Sequence, residues 1–453
     1  MSVYKAKMRL TDEEKAILEG KEGPTKAKMM EVLVRYGDTF NAECMEKVTH
    51  KQAHFVTSFG LSMIKPVYPL MDELIKDGCK VEGGFTMDPR PIDYENVSCG
   101  LLEKFVFSGV MYGKQKPYEE QLRKIGLTKT NGFTCTSYLK EVGNTPKKGD
   151  ILSWSESSAV VFANSVLGAR CNRNSGIIDT FGAILGVVPK FGFLTEEGRK
   201  ATWKIELRTT KIPEAQILGS AIGMKVMEEV PYVFGLDKYL KDLPDEDTIA
   251  YLKDFGAATA SNGAVGLYHI DKITPEAKEL GEKLIKENVK TYIIDDAELE
   301  RVYKSYPMMW KKSNAKPHKA FIGCPHLTLK QLENWTDKVI NKLKEVGKEK
   351  LAINTVFTAS PDVIDAFKKS PKYKDFVRVG AHLSYICPLM YVDNPIAGSK
   401  PIITNSNKLR TYSHSRYYKD EEILDIITGK ETCKWENLKE ESFLVEIGKA
   451  KQL

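Results

Sequence analysis

The strongest constraint on the fold is a strand–helix–strand–helix–strand pattern between residues 319 and 390. Short apolar runs at residues 319–323 and 351–358 predict buried strands, and extended segments are also predicted at residues 376–379 and 384–386. Strands that alternate with helices form parallel sheets whose two faces are covered by the helices. The pattern therefore predicts an α/β fold with a βαβαβ unit in this region.

Helix start signals support this prediction. Thr328 and Gln331 match a capping box, in which each side chain accepts a hydrogen bond from the other residue's backbone N–H. Ser360 precedes Pro361, a combination of N-cap residue and first-turn proline that is typical of helix starts. Thr11 begins another capping box near the N-terminus. Helices are therefore predicted to begin at all three places.

The composition is that of an ordinary globular protein. The chain has 453 residues, of which 42% are hydrophobic and 28% are charged. Its net charge of +6 is small, and the basic residues are spread along the chain, which argues against a nucleic-acid-binding protein. The sequence has neither a signal-peptide pattern nor a run of eighteen apolar residues. We therefore expect a cytoplasmic protein that binds neither nucleic acid nor membrane.

Three of the eight cysteines lie in short motifs where the chain is predicted to leave a strand. Cys135 lies in GFTCT, Cys324 in GCPH and Cys387 in YICP. Zinc ribbons use close Cys-x-x-Cys pairs, whereas separated cysteines can converge on a 4Fe–4S, 3Fe–4S or 2Fe–2S cluster. Three thiolates on a four-iron cluster leave one iron open, and an open iron can accept hydroxide as a Lewis acid. The three cysteines therefore indicate an iron–sulfur dehydratase.

A lone cysteine beside an apolar segment is more often a small core residue than a ligand. We keep that interpretation for the cysteines Cys44, Cys79, Cys99 and Cys433. His326 leaves two interpretations open, because it could form a hydrogen bond beside the metal ligands or cap nearby backbone.

A second group of polar residues surrounds an apolar, helix-like segment at residues 153–173. Hydroxyls and arginines suit a substrate carboxylate or phosphate, which a guanidinium can bind in a bidentate fashion. A capped helix with incidental polar flanks explains the same pattern, and both interpretations remain open. The group comprises Ser153, Ser155, Glu156, Ser157, Ser158, Asn164, Ser165, Arg170, Asn172 and Arg173.

Several of these segments closely resemble the catalytic large subunit of the aconitase X family, a branch of the aconitase superfamily. The segments are residues 155–160, 163–165, 168–170 and 323–326. The resemblance covers most of the chain. It implies an aconitase-like, three-layer α/β/α catalytic region with mostly parallel sheets at residues 1–410, and a peripheral C-terminal extension at residues 411–453.

The resemblance also implies roles for individual residues. Cys135, Cys324 and Cys387 would hold the cluster. The substrate cavity would be lined by the run Ser155–Ser158, Asn164, Arg170 and Asn172. Thr86 and Ser406 match further loops of the site, and the guanidinium of Arg173 makes it another candidate for substrate binding. The sequence does not identify the general base, for which the candidates are Glu156, Ser157 and Ser406.

The chain departs from the family pattern at three positions. Cys171 stands where threonine is common, Asp88 where asparagine is common, and Asn407 where glycine is common. We expect these changes to alter the substrate preference or the cluster environment without abolishing the chemistry.

Aconitases also need a small swivelling domain, which in aconitase X is either fused or supplied as a separate subunit. Too few residues follow Ser406 to form that domain. The resemblance therefore implies that this chain lacks the swivelling domain and acts with a separate small subunit.

The predicted activity is an iron–sulfur-dependent dehydration of a small hydroxy acid. Two substrates compete: cis-3-hydroxy-L-proline, which gives 1-pyrroline-2-carboxylate, and mevalonate 5-phosphate, which gives trans-anhydromevalonate 5-phosphate. The sequence favours hydroxyproline, because no basic cluster can be assigned to a phosphate. A cluster-dependent sensor that binds RNA or protein and a mononuclear zinc hydrolase are alternatives from other classes. The scattered basic residues disfavour the first, and the scarcity of histidines near the cysteines disfavours the second.

Overall fold

The computed structural model describes residues 4–56, 61–129, 131–312, 314–392, 396 and 400–430. The helices are α1 Asp12–Leu18, α2 Pro24–Thr39, α3 Val67–Lys76, α4 Leu101–Phe105, α5 Gln115–Ile125, α6 Ser157–Phe162, α7 Gly176–Leu185, α8 Ala215–Val226, α9 Glu246–Asn262, α10 Pro275–Leu280, α11 Asp296–Lys304, α12 Leu329–Glu345, α13 Pro361–Lys368, α14 Lys372–Arg378, α15 Pro388–Val392, α16 Asn407–Tyr412 and α17 Asp420–Thr428. Among the described residues, none of the helices combines the length and the apolarity needed to cross a bilayer.

The strands are short, and most are parallel to their neighbours. They are β1 Met45–Lys47, β2 Ala53–Phe55, β3 Phe85–Met87, β4 Val187–Pro189, β5 Ala201–Arg208, β6 Pro231–Phe234, β7 His269–Ile270, β8 Ile285–Asp295, β9 Lys319–Leu327, β10 Asn354–Ala359, β11 His382–Ser384, β12 Ile402–Thr404 and β13 Arg416–Tyr417.

The largest sheet has five strands in the order β11–β10–β9–β12–β13, and its pairings are all parallel. Helix α12 connects β9 to β10, and α13 with α14 connects β10 to β11. The predicted βαβαβ unit is therefore confirmed. Both predicted helix starts are also present, since Thr328 and Gln331 form a reciprocal capping box and Ser360 caps α13.

The prediction of an extended segment at residues 376–379 is wrong. These residues complete α14, which begins after Pro371 and buries Phe376 against Phe357 and Phe367. A short apolar run does not distinguish a strand from one buried helix turn, and the contact with the core decides between them.

A second parallel sheet has the order β7–β6–β5–β8. Helices α8 and α9 pack against each other, and α9 also contacts α6 and β9. Apolar residues from both large sheets, including Ile205, Val233, Ile322 and Phe357, belong to one hydrophobic core. The two sheets with their covering helices confirm the predicted α/β fold class.

The N-terminal part of the chain has its own hydrophobic cluster. Its small sheets are the antiparallel pair β1–β4 and the parallel pair β2–β3. Residues Met30, Leu33, Leu74 and Phe85 are fully buried there, on α2, α3 and β3. This packing fixes the position of β2 and β3, which carry His54 and Thr86.

Part of the segment predicted as a peripheral C-terminal extension lies in the core. Residues 411–430 include β13, which joins the five-stranded sheet, and α17, which packs on α12. Ile423 and Ile427 of α17 are fully buried. The described part of the extension therefore completes the fold, and residues 431–453, with Cys433, lie outside the described residues.

Candidate functional site

The GCPH motif forms a bulge in β9. Ile322 pairs with Phe357 and Leu327 pairs with Ala359, so residues 323–326 of β9 face a single residue of β10. Gly323 has a φ of +110°, and a Cβ at this position would lie 2.5 Å from the carbonyl oxygen of Thr358. Glycine is therefore required at this position, where the strand bends outward and presents Cys324.

The three predicted ligand cysteines converge around this bulge. Cys135 follows the bridge between Met87 and Phe133, and Cys387 directly precedes α15. Cys135 and Cys324 are buried, and Cys387 is half-buried. Burial raises the pKa of all three thiols, and Cys324 adds to this rise for both of its neighbours, so that the pKa of Cys387 reaches about 12.

His326 connects the three cysteine segments. Its Nδ1 lies 3.1 Å from the hydroxyl of Thr134, and its Nε2 lies 3.1 Å from the carbonyl oxygen of Ile386. Its backbone N–H donates to the Sγ of Cys135 over 3.3 Å. Burial lowers the pKa of the imidazole to about 4, so it is neutral at pH 7 and donates from Nε2 to the carbonyl. Both interpretations left open by the sequence apply, because His326 binds backbone and contacts a predicted ligand.

Glu156 and Lys408 form a buried ion pair beside the cysteines. The Lys408 Nζ lies 2.7 Å from Glu156 Oε1, and their side chains are 14% and 6% exposed. The same carboxylate accepts from the Ala159 N–H and the Ser158 hydroxyl. Burial favours the neutral acid, but the attraction of Lys408 and these hydrogen bonds outweighs it and lowers the pKa of Glu156 to about 2.

Lys408 itself lies close to Glu156 and to two of the three cysteines. Burial lowers its pKa, but Glu156, Cys324 and Cys135 outweigh that effect, so the pKa is raised and the ammonium stays charged. The sequence alone does not distinguish Lys408. The chain contains many lysines, and only the contact with Glu156, which is 252 residues away in sequence, distinguishes this one.

Thr86 and Ser155 both form hydrogen bonds to the segment of β2. Thr86 binds the imidazole of His54 and accepts from the amide of Asn144. The hydroxyl of Ser155 accepts from the Val56 N–H over 2.9 Å. His54 and Asn144 were also missed by the sequence analysis, because neither lies in a recognisable motif.

Ser157 and Ser406 have different surroundings. Ser406 caps α16 by accepting from the Leu409 N–H, and its hydroxyl donates to the carbonyl oxygen of Cys324. Ser157 is the first residue of α6 and is half-buried. Of the two serines, Ser406 is the one whose hydroxyl stabilises the bulge in β9, through its hydrogen bond to Cys324.

Other residues of the predicted substrate cavity bind the protein itself. The amide of Asn164 binds the backbone of Cys171 and Gly266, and Arg170 forms an ion pair with Glu196. Asn172 in turn binds the backbone at Phe191 and Phe193. Arg173 differs, since its Nη1 is buried and lacks a hydrogen-bond partner among the described residues.

The three cysteines are not arranged as the ligands of a single metal ion. Among the residues that the structure describes, no three His, Cys, Asp or Glu side chains are grouped closely enough to hold a single metal ion. The described cysteines are also free of disulfide bonds. The site therefore offers three separate thiols, a buried ammonium group and a neutral imidazole.

Comparisons with known proteins identify the family. Residues 7–197 match the aconitase X first domain, and residues 201–304 match the aconitase X second domain. The chain belongs to the aconitase X family. This aconitase X chain also matches the crystal structure of Thermococcus kodakaraensis aconitase X in its holo-form, with a TM-score of 0.74 and 30% identity. That match covers 92% of this chain and 99% of the other.

Two kinds of curated relatives match the aconitase X chain. The phosphomevalonate dehydratase large subunit of Thermococcus kodakarensis is 32% identical, over 90% of this chain and 95% of the relative. The cis-3-hydroxy-L-proline dehydratase of Hypocrea jecorina is 27% identical, over 62% of this chain and 46% of the relative. The resemblance inferred from the sequence is confirmed, and the aconitase X chain is a hydro-lyase.

Proposed function

We propose that this chain is the large subunit of a phosphomevalonate dehydratase. The observation that carries the proposal is the convergence of Cys135, Cys324 and Cys387 around His326, in a chain that aligns with 95% of a phosphomevalonate dehydratase large subunit. Mevalonate 5-phosphate would lose water to give an anhydromevalonate phosphate.

This substrate differs from the one that the sequence favoured. The five phosphomevalonate dehydratase large subunits that match are 30–32% identical to the chain, whereas the two cis-3-hydroxy-L-proline dehydratases are 26–27% identical. The alignment also spans less than half the length of those two enzymes. Hydroxyproline therefore becomes the alternative substrate.

The residues present fit an iron–sulfur cluster. Cysteine thiolates are the common protein ligands of such clusters, and here Cys324 lies within electrostatic range of both Cys135 and Cys387, although the described side chains do not group as tightly as single-ion ligands. Cys135, Cys324 and Cys387 would hold the cluster, which supplies a Lewis-acidic iron for the departing hydroxyl.

The chain's own residues would keep the site rigid and charged. His326 fixes the spacing of the three cysteine segments through its two ring nitrogens. Lys408 keeps a permanent positive charge near Cys135 and Cys324, which favours negative charge on the thiols and on the substrate.

Glu156 is poorly suited to act as the general base. A carboxylate with a pKa of about 2 binds a proton weakly at neutral pH, and its oxygens already accept from Lys408, Ser158 and the backbone of Ala159. Glu156 instead holds Lys408 in place and caps α6.

We also propose that the active enzyme contains a separate small subunit. The relatives that align over nearly their whole length are named large subunits. A swivelling domain supplied by a partner chain would close over the three cysteines and exclude water from the site.

The first experiment is anaerobic production of the chain together with the proposed small subunit, followed by iron and sulfide analysis and assays with both acids. Dehydration of mevalonate 5-phosphate supports the proposal. Formation of pyrroline carboxylate from cis-3-hydroxy-L-proline would replace it with the alternative, and a complex that turns over neither acid would refute both.

Cysteine variants test the ligand assignment. We expect C135S, C324S and C387S each to lose most of the iron and sulfide, with C44S as the matched control because Cys44 lies in the N-terminal part of the fold, beside Arg9. Full cluster content in any of the three variants would remove that cysteine from the ligand set.

A further inference from the structure

His54 is fully buried and is held on one side only. Its Nδ1 lies 2.9 Å from the hydroxyl of Thr86, and its ring packs edge-on against Trp154. Its Nε2 is buried and has no hydrogen-bond partner in the part of the chain that the structure describes. Buried polar atoms almost always have a partner, and leaving one without a partner is destabilising. An orphaned ring nitrogen on so well fixed a side chain therefore indicates a missing ligand.

The surrounding hydrogen bonds determine which ring nitrogen carries the proton. The Asn144 Nδ2 donates to the Thr86 hydroxyl over 3.0 Å and to the Ala53 carbonyl over 3.1 Å. The Thr86 hydroxyl lies 3.5 Å from that carbonyl but only 2.9 Å from His54 Nδ1. With the Thr86 hydroxyl donating over the shorter of these distances, to Nδ1, the orphaned Nε2 of the neutral ring is an N–H donor.

The orphaned donor lies close to the predicted catalytic centre. Glu156 and Lys408 both act electrostatically on His54, and the His54 carbonyl accepts from the Ser155 N–H over 3.0 Å. Burial lowers the pKa of His54 to about 4, so the ring is uncharged at neutral pH. Glu156 is already occupied by Lys408, Ser158 and the backbone of Ala159, and the described residues offer Nε2 no other acceptor, which leaves this position open to a bound molecule.

We propose that the Nε2–H of His54 donates a hydrogen bond to the carboxylate of the substrate. The inference rests on the proposed function in one respect, which is that the substrate is a small hydroxy acid. Both candidate acids carry a carboxylate, which accepts hydrogen bonds and donates none. His54 would therefore bind either of them.

A pair of variants separates this role from simple packing. In H54N the shorter amide can replace Nδ1 beside Thr86 but leaves the Nε2 position empty, whereas in H54Q the longer amide reaches the Nε2 position. We expect H54N to lower kcat/KM by about 10- to 100-fold, mostly through KM, and H54Q to recover at least half of the loss on a logarithmic scale. H318N, at an exposed histidine, is the control. Equal activity of H54N and wild type, or equal losses in H54N and H54Q, would overturn the inference.

A second measurement does not depend on turnover. In protein labelled with ¹⁵N-histidine, we expect the His54 resonances, assigned by their loss in H54Q, to show a neutral ring protonated at Nε2. Either acid should stabilise the wild-type complex against thermal unfolding more than it stabilises H54N. An Nδ1–H ring or equal stabilisation of the two proteins would refute the role of His54. Neither result is affected if the acids bind without reacting, which would count against the proposed function alone.

Discussion

Lys408 and Glu156 carry opposite charges in a place almost without solvent. Two ions in such a place are tolerated because each has its partner, and the loss of one leaves the other buried and unpaired. The carboxylate also receives the Ser158 hydroxyl and the Ala159 N–H, so the pair fixes the first turn of α6 as well as α16. The pair therefore matters for stability and for the charge of the site.

Replacing Lys408 alone should be far more damaging than replacing both partners. We expect K408M to destabilise the protein by about 3–5 kcal/mol, because Glu156 is then buried without a countercharge. The double variant K408M/E156Q should regain a large part of this loss. Urea unfolding at pH 7 of wild type, both single variants and the double variant measures the coupling. Losses that simply add would mean that the pair is not coupled.

The hydrogen bonds of His326 lead to a second prediction, which concerns how firmly the cysteine segments are held together. In H326L both ring hydrogen bonds are lost, to Thr134 and to the Ile386 carbonyl, which should favour local opening by about 1–3 kcal/mol. Alkylation of Cys135 and Cys387 in cluster-free protein should then be about tenfold faster, as followed by mass spectrometry.

Cys79 provides the internal control for that experiment. It is buried in the N-terminal hydrophobic cluster, away from the three cysteine segments, and its alkylation rate should not change. Faster alkylation of Cys79 as well would indicate general destabilisation, and unchanged rates at Cys135 and Cys387 would show that His326 does not hold their segments together.

For individual residues, the sequence points to the three cysteines but not to the charged side chains around them. Cys324 and Cys387 are visible because each precedes a proline after a predicted strand. Lys408 and His54 are ordinary residue types in ordinary contexts. Their roles come from partners far away in the chain, and a single sequence does not display such pairings.

At the scale of elements, the bulge in β9 determines how the site is built. A strand that continued regularly through residues 323–326 would keep the backbone of Cys324 in the ladder with β10. The bulge instead releases this motif from the regular pairing, and the hydroxyl of Ser406 binds the buried carbonyl of Cys324. Gly323 makes this possible, since its φ of +110° is outside the range that other residues favour.

Adding one methyl group at this bulge should disturb the site. The new Cβ in G323A would lie 2.5 Å from the Thr358 carbonyl oxygen and 2.9 Å from Leu327 Cγ, so we expect a loss of at least about 3 kcal/mol and a lower iron content. In the control G347A, the glycine also has a positive φ but nothing lies within 4 Å, so the loss should be about 1 kcal/mol. Equal effects of the two changes on stability and iron content would contradict this explanation.

The predicted elements succeeded where the signal is local. The capping boxes at Thr11 and Thr328 and the serine cap at Ser360 all appear as expected, because a cap depends on residues three positions apart. Helix α14 and the burial of α17 were not predicted. Both depend on contacts with distant parts of the core, for which a short apolar segment gives no signal.

For the whole molecule, the site lies where separate parts of the chain meet. Cys135 and Glu156 belong to the segment matched by the first aconitase X domain, whereas Cys324, Cys387 and Lys408 follow the second. The hydrogen bonds of His326 and the ion pair of Lys408 both cross this boundary. The assembly of the candidate site therefore depends on the packing of the whole chain.

Glu214 lies at another such junction and should make the stability depend on pH. It precedes α8 of the second domain and accepts from the Tyr417 hydroxyl and the Asp420 N–H, which lie near the C-terminal end of the described chain. Burial, followed by repulsion from Asp420, raises its pKa from 4.5 to about 7. The folded protein therefore holds a proton that the unfolded chain releases above about pH 4.5.

Because the folded pKa is raised, the stability contributed by Glu214 is fully present below pH 4.5 and is lost as the pH rises to about 7. The loss for this single group is about 3 kcal/mol. We expect E214Q, which stays neutral and keeps one of the two accepting oxygens, to gain about 1–3 kcal/mol of stability relative to wild type as the pH rises from 5 to 8. Urea unfolding at pH 5, 6, 7 and 8 measures this difference, with the exposed Glu287→Gln as the control. A difference between E214Q and wild type that stays constant over this range would mean that Glu214 is already ionised at pH 5.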